Sequence, residues 1–545
     1  MANPVDPITR SVIQHRLSSI VEEMGEAMLR TSYSQILNAS RDFSMGICDA
    51  QCRLIAQADH IPIHVGALPW AARAIEEKFA GRIEPGDVII VNDPYAGGGN
   101  HLPDVTVFVP IFAGDKRLFW TIARAHMGDI GGATHGAYNP AATEIWQEGI
   151  RIPPLKLYEA GKLRDDVMDM IILNVRFHRD FRGDLDAMIG AAHLGERRLK
   201  KLFNEVGADV VVDAVEAILD GAERRARAIV ESWKDGVYYG EAFLDDDGRG
   251  RENIRIAAKV TKKGSDLEID LTDSDPQSNS FANSSHANTQ AAVAMAFAYL
   301  IDPDIPKNDG VFRILKIKAK PGTVVWAENN APVTLCTTHP SNEIVEAIVK
   351  ALAPACPDRA MGGWGRRFRI SITGDNPRNG KRFIWHMFHA RPGGGASPKG
   401  DGWSTAGEWH SVGGIKFGSI EVAEARFPLL FESHEFRPGS GGEGQHRGGL
   451  GATMNLRVEV PAYGHTAGEG TRHGAAGMLG GKDGLPHHYR LVSSDGGRDL
   501  KTKEYGIEIK AGDLLEIRSG GGGGWGDPAK RSAEAIRRDR ERELI

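Results

Sequence analysis

Val91–Phe112 reads VNDPYAGGGNHLPDVTVFVPIF, and after the turn Ala113–Lys116 the chain runs from Leu118 to Gly132 as LFWTIARAHMGDIGG. Two apolar β-type runs, Val105–Phe112 and Leu118–Arg124, flank that turn, the pattern of a hairpin. In an antiparallel pair the start of one strand lies beside the end of the other. His101, Asp104 and His126 would then share one sheet edge, and imidazole and carboxylate donors gathered at one point suit a divalent metal. Gly97–Gly99 just before them permit close backbone approach. The competing reading is a Gly-rich loop whose histidines bond only to backbone.

Working outward, Pro7–Ser32 has helical spacing of Ile8, Val12, Leu17, Ile20, Met24 and Met28. Ser40–His60 alternates around Phe43, Met45 and Ile47, predicting a hairpin with its turn at Asp49–Cys52. Pro69–Ala80 predicts a helix, Gly86–Val91 a strand, and Gly131–Ile150 a loop. Arg164–Gly183 and Leu194–Trp233 predict helices with solvated charged faces. The character changes near Trp233–Tyr238. Arg251–Val260 and Asp266–Leu271 predict a hairpin, Ala287–Ile301 a buried helix, Phe312–Ala319 and Thr323–Ala327 strands, and Asn342–Leu352 a helix. Gly393–Gly451 holds few periodic elements. Ala452–Val460, His488–Ser493 and Tyr505–Ser519 return to strands. The expected fold is mixed α/β (α+β). Residues 1–236 form a metal-bearing part with helices around hairpin strands. Residues 237–545 form a β-rich part with Gly-rich loops and a partner interface.

The 545 residues carry a net charge of −6 with no basic stretch of the kind nucleic acid or a membrane surface attracts. The most apolar helical run, Ala291–Ile301, is too short to span a bilayer. The start MANPVDPITRS lacks a charged region followed by an apolar one, and Cys48, Cys52, Cys336 and Cys356 form no two close pairs. Free thiols and a cytoplasmic location are expected. Glycine, 66 residues, is in clustered excess over the usual ~7%. Gly439–Gly451 and Gly520–Gly526 read either as lining a passage between subunits or as tight turns between strands.

No Walker A sequence is present; Gly477–Lys482 comes closest, with wrong spacing and Asp483 where Ser or Thr belongs. Gly439–Gly444 matches G-x-G-x-x-G but lacks the strand–turn–helix setting. The metal reading needs a further ligand, for which Asp42, His60, His64, Asp129 and His135 are candidates. His60 and His64 flank the HIPIH segment and read equally well as core histidines. Asp129 could ligate, orient a ligand or accept a proton. A mixed His/Asp set suits zinc, manganese or iron.

The segments SRDFSMGICDAQCRLIAQADHIPIHVGALP, VNDPYAGGGNHLPDVTVFVPIF, RAHMGDIGG, FRPGSGGEGQHRGGLG and GGGGGWGDP span almost the whole chain. Together they resemble the hydantoinase B/oxoprolinase family, the B-type subunits of N-methylhydantoinase-like, lactamase-like and acetone or acetophenone carboxylase-like complexes. The loop AGGGNHLPD is one residue fuller than the family's commoner form but keeps His and Asp in place. The resemblance implies one catalytic metal held by Asp42, His101, Asp104 and His126. Asp in place of a Glu at 42 points to zinc first, with manganese or iron as alternatives. It also implies a hydantoinase A-type partner that binds ATP, in a hetero-oligomer such as a dimer of heterodimers. The expected activity is ATP-dependent hydrolysis of a small cyclic amide: a hydantoin, lactam, cyclic imide or 5-oxoproline-like ring. The partner would phosphorylate the amide oxygen, and a metal-bound water, with Asp129 or His60 as proton acceptor, would attack the carbon. The rivals are a carboxylase of the acetone type, which the same ligands would serve, and a non-catalytic scaffold with a closed structural metal.

Overall fold

The computed structural model describes residues 5–58, 60–134, 136, 138–328, 330–412, 414–416 and 418–545. Asp6 caps α1 (Pro7–Thr31), its carboxylate accepting from Ile8 N and Thr9 N. The buried stripe of α1 runs through Ile13, Leu17, Ile20, Val21, Met24 and Met28, whereas Ile8 and Val12 face solvent. A short α2 (Gln35–Asn38) leads into the hairpin β1 (Phe43–Asp49) and β2 (Leu54–Ala58). After it come α3 (Pro62–Val65), α4 (Leu68–Phe79), β3 (Val88–Val91), β4 (Asp104–Ala113), β5 (Lys116–His126), β6 (Leu155–Glu159) and β7 (Lys162–Leu163). These strands make one seven-stranded sheet in the order β2-β1-β5-β4-β3-β6-β7.

Period-two burial explains how this sheet is covered on both faces. Ile47, Ile90, Val107 and Ala123 join the large core under α1 and α6 (the latter following α5, Asp165–Leu173, and spanning His178–Val206). Cys48, Ile89, Phe108, Trp120 and Ile122 point the other way, onto α4. After α7 (Ala208–Glu231), β8 (Gly236–Asp246), β9 (Glu252–Lys263), β10 (Asp266–Asp270) and β11 (Leu315–Lys318) form a second sheet, with α8 (His286–Leu300) between β10 and β11. The segment 323–327, expected as a strand, makes only isolated bridges, because Thr323 pairs with Trp326 across a tight turn. One apolar core runs without interruption from Ile13 past residue 236 into this sheet.

Beyond α9 (Asp309–Phe312) and α10 (Ser341–Leu352), the remaining strands form two sheets around a second core. The first contains β12 (Phe368–Asn376) and β13 (Lys381–His386); the others extend from Leu429 to Arg518. The expected strand Tyr505–Ser519 is two, Lys503–Ile509 and Leu514–Arg518, in different sheets.

The stretch Gly520–Gly524 is not a tight turn, whereas Gly439 does sit in one, closed by Ser440 N donating to Arg437 O. Gly520–Gly524 passes as bare backbone between four other segments, outside helix and sheet. Gly522 N donates to Gly449 O, Gly523 N to Gly363 O and Gly524 N to Lys482 O; Gly520 O receives Gly393 N and Gly523 O receives Ala396 N. A Cβ at Gly522 would lie 2.0 Å from Gly394 O, and one at Gly448 1.9 Å from Gly522 O. Glycine is required here because the neighbours are main chain and cannot rotate away. Among the described residues no helix is long and apolar enough to cross a membrane, and all four cysteines are buried free thiols.

Candidate metal centre

The hairpin β4–β5 pairs Asp104 with His126, and β1 lies on the other side of β5 with Phe43 opposite Ala125. Asp42 therefore sits one residue beyond β1, where its carbonyl accepts from His126 N at 3.0 Å. Three adjacent strand ends thus place Asp42, His126 and Asp104 side by side. By the period-two rule their side chains share a face with Ser44, Arg124 and Thr106 one step in, and with Cys48, Trp120 and Phe108 further along. The face is apolar under α4 and polar at its end, and α3 with the loop 97–103 closes over that end.

Two more imidazoles arrive from these covering segments. His101 Nε2 lies 2.9 Å from Asp104 Oδ1, His126 Nδ1 3.4 Å and His64 Nε2 3.5 Å, while His64 Nε2 is also 3.6 Å from Asp42 Oδ1. Ligand atoms of His101, Asp104 and His126 lie within 4.8 Å of one another, and all five residues are buried. His64 is the residue that the family resemblance omitted from the ligand set; its signal was the HIPIH segment, where it stood as one candidate among five.

Buried Arg124 braces the covering segments against the sheet. Its Nε donates to Thr106 Oγ1 at 2.7 Å, and its Nη1 to His64 O at 2.9 Å and Asn100 Oδ1 at 2.6 Å. Asn100 Nδ2 donates to Ile63 O, and the Ser285 hydroxyl that caps α8 donates to Asn100 O. Gly98 (φ 62°) lets the loop touch α4, since a Cβ there would lie 2.6 Å from the Trp70 carbonyl. His101 Nδ1 faces Thr334 O, and buried Glu148 fixes that carbonyl by accepting from Val333 N at 3.0 Å and Thr334 N at 2.9 Å. An outer shell of this kind sets which imidazole nitrogen faces inward.

Burial would raise the Asp104 carboxyl, but His101 and His64, with hydrogen bonds from His101 and His126, hold it well below the usual range. Burial lowers His64, and lowers His126 to about 4. Burial also acts to lower His101, yet Asp104 outweighs it and raises the ring. Burial pushes Glu148 up to about 7. Asp104 Oδ2, His64 Nδ1 and His126 Nε2 are buried with no hydrogen-bond partner among the described residues. The orphaned Asp104 oxygen, beside a second carboxylate and three imidazoles, belongs to the donor set of a first-row divalent cation, and the residues fit one.

The two expected proton acceptors are not brought to this cluster. Asp129 Oδ2 accepts from Arg176 N and its Oδ1 from Arg176 Nη1 at 2.7 Å, so its carboxylate ties the loop after β5 to the segment before α6. The His60 ring lies 4.7 Å from Phe43, and a Cβ on Gly25 of α1 would come within 2.6 Å of its Nε2. His135 lies outside the described residues. Sequence reasoning missed Thr337, Arg367, Arg369 and His410, which share with Asp42, His64 and His126 the lining of a small cavity of about 10 Å³, room for about one water.

The chain matches the family model described as hydantoinase B/oxoprolinase over residues 6–528. It is 34% identical to the beta subunit of caprolactamase from Pseudomonas jessenii, over all of this chain and 94% of that one. The crystal structure of the ATP-dependent caprolactamase from Pseudomonas jessenii superposes with a TM-score of 0.94, covering 100% of this chain and 95% of that chain at 33% identity. The putative D-/L-hydantoinase of Pseudomonas sp. (strain NS671) has a B-type subunit that is 28% identical over 98% of this chain and 92% of its own length. A nucleotide-free acetone carboxylase shares the fold, with a TM-score of 0.88 at 19% identity over 99% of this chain and 78% of that one.

Proposed function

The chain belongs to the hydantoinase B/oxoprolinase family, and from that premise we propose that it is the hydrolytic subunit of an ATP-dependent cyclic amide hydrolase. The observation that carries this reading is the end-to-end likeness to the caprolactamase beta subunit, in sequence and in fold. A lactam, hydantoin or 5-oxoproline-type ring is the substrate class. The partner is an ATP-binding subunit of the hydantoinase A type.

The difficulty of the reaction is amide resonance, which makes the carbonyl carbon a poor electrophile. Phosphorylation of the oxygen in the partner removes it. Water then adds to the carbon and the ring C–N bond breaks, its nitrogen taking a proton. The acyl phosphate left behind is hydrolysed to carboxylate and phosphate. Asp42, His64, His101, Asp104 and His126 would hold one divalent cation, with zinc the first candidate and manganese or iron the others. Such a cation supplies Lewis acidity and a water acidified toward ~7. The protein's own part is orientation. Arg124 and Glu148 keep the donors aimed at one point, and burial excludes bulk water. His410 lines the same small cavity as Asp42, His64 and His126, and burial lowers it to about 3, so its ring is neutral and able to accept a hydrogen bond.

The test is a screen of the copurified two-subunit complex against caprolactam, hydantoins, cyclic imides and 5-oxoproline, with and without ATP and bicarbonate. ATP-dependent ring opening without bicarbonate is expected. An obligatory bicarbonate requirement with carbon incorporated into product would replace the hydrolase with a carboxylase.

A further inference from the structure

An imidazole that binds a metal is usually held in its plane by a carbonyl or carboxylate on the nitrogen turned away from the ion. His101 has such a partner, since its Nδ1 faces Thr334 O and Glu148 accepts from Thr334 N. His126 has none. Its Nδ1 looks toward Asp104 Oδ1 at 3.4 Å, itself one of the donors, and its Nε2 meets no hydrogen-bond partner among the described residues. The bond from His126 N to Asp42 O fixes the main chain, but the ring could still turn about its own torsions.

A flat surface stands beside that ring. Tyr138 lies alongside His126 with ring centroids 5.8 Å apart and planes inclined by 24°. It also meets His101 edge to face, at 6.3 Å and 82°. Both separations fall within the range of about 4.5–7 Å over which aromatic rings attract. Tyr138 is only 4% exposed and lines the same small cavity as Asp42 and His126. Its own position is fixed from several sides. The Arg369 guanidinium lies 4.0 Å from the Tyr138 ring centroid, a contact that gains strength when both groups are buried, as they are here. Arg369 Nη2 in turn donates to His386 Nδ1 at 2.8 Å, joining β12 to β13. Gly136, two residues before Tyr138, packs on the same imidazole: at φ 77° a Cβ there would lie 2.8 Å from His386 Cε1. Thr134 Oγ1 donates to Tyr138 O at 2.8 Å. The phenol ring is thus locked against β12 and β13 while it faces the end of β5.

We propose that Tyr138 is the positioning residue of His126, a rigid face that sets the plane of the imidazole, and that Arg369 acts on the metal centre through Tyr138. The proposal rests on the reading of Asp42, His64, His101, Asp104 and His126 as a cation site and on no particular reaction. The ring takes the place that an outer carbonyl holds at His101.

The experiment is competition titration of the metal-stripped two-subunit complex with Zn²⁺ against a chelator, together with the visible absorption of the same complex loaded with Co²⁺. Tyr138→Leu removes the flat ring. It should weaken Zn²⁺ binding about 3- to 10-fold, the range for loss of an aromatic pair, and shift the Co²⁺ bands, because a turned imidazole changes the ligand field. Tyr138→Phe keeps the ring and should match the wild type in spectrum and, to within about twofold, in affinity. Arg369→Gln should weaken binding about 2- to 5-fold by itself and add nothing in the Tyr138→Leu background, because a residue that acts through another is not additive with it. Should Tyr138→Leu fail to assemble, Arg369→Gln carries the test, and unchanged affinity and bands in it overturn the proposal. Unchanged affinity and bands in an assembled Tyr138→Leu complex overturn it too. So does Tyr138→Phe as weak as Tyr138→Leu, which gives the role to the hydroxyl, or full additivity of the two changes. A wild-type complex that binds no Zn²⁺ ends the cation reading itself; wild-type binding with variants that match it ends only the part given to Tyr138.

Discussion

The polar end of the first sheet and the glycine bundle around residues 520–524 solve the same assembly problem with opposite means. Each gathers segments that are far apart in sequence. At the sheet end, backbone pairing puts three strand termini in a row, and side chains from Asp42, His64, His101, Asp104 and His126 complete the site. In the bundle, side chains are absent and carbonyls stand where a Cβ would go. The first region should tolerate changes of side chain in its fold and lose only its ligand. The second should tolerate no added atom.

The largest expected effect breaks the bundle. Gly522→Ala places a methyl 2.0 Å from Gly394 O and should cost about 3 kcal/mol or more, a large share of a typical total stability. Gly400→Ala meets nothing within 4 Å and should melt with the wild type. Equal melting curves for the two variants would refute the packing argument. At the sheet end, Asp104→Asn should leave the fold intact while bound metal falls from about one per chain to near none. Elemental analysis and circular dichroism on the same sample separate these outcomes. Glu148→Ala touches no donor directly, yet freeing the Thr334 carbonyl should weaken metal binding about 10- to 100-fold, which a competition titration against a chelator measures.

A smaller effect separates the two regions by pH. His487, beside the bundle, accepts from Gly520 N through Nδ1 and faces Arg366 O through Nε2, an arrangement for the neutral ring. Burial lowers it from 6.5 to about 4. The unfolded chain therefore binds the proton first. The stabilisation is complete above about 6.5 and is lost as pH falls toward 4, roughly 2 kcal/mol by pH 5. Denaturant titrations at pH 7 and pH 5 should show this loss, and His487→Gln should flatten it. The smallest effect belongs to Asp129→Asn, which weakens the tie to Arg176 for about 1 kcal/mol and should leave metal content unchanged; loss of metal would return Asp129 to the site.

The hairpin Asp104–His126 was legible because two apolar β-type runs flank a short turn, which is enough to bring Asp104 and His126 to one sheet edge. Asp42 was recognised through the family motif, and its place beside His126 and Asp104 became visible only with β1 set next to β5. His64 could not be separated from His60, because α3 is one turn long and four residues give no period. The strand β12 was missed for a physical reason. Phe368, Ile370 and Ile372 alternate with Arg369, Ser371 and Thr373, the pattern of a half-buried strand, but the segment lies amid Gly- and Arg-rich stretches without period, and its polar set is buried as well. The bundle was visible only as a glycine excess, since backbone-to-backbone packing leaves no side-chain pattern to read.

X-ray absorption at the metal edge of the purified two-subunit complex tests the central claim most directly. One first-row divalent ion per copy of this chain, surrounded by nitrogen and oxygen with the multiple-scattering signature of two or three imidazoles, is the result expected. A sulfur-ligated ion, or a fully active preparation without metal, would contradict it.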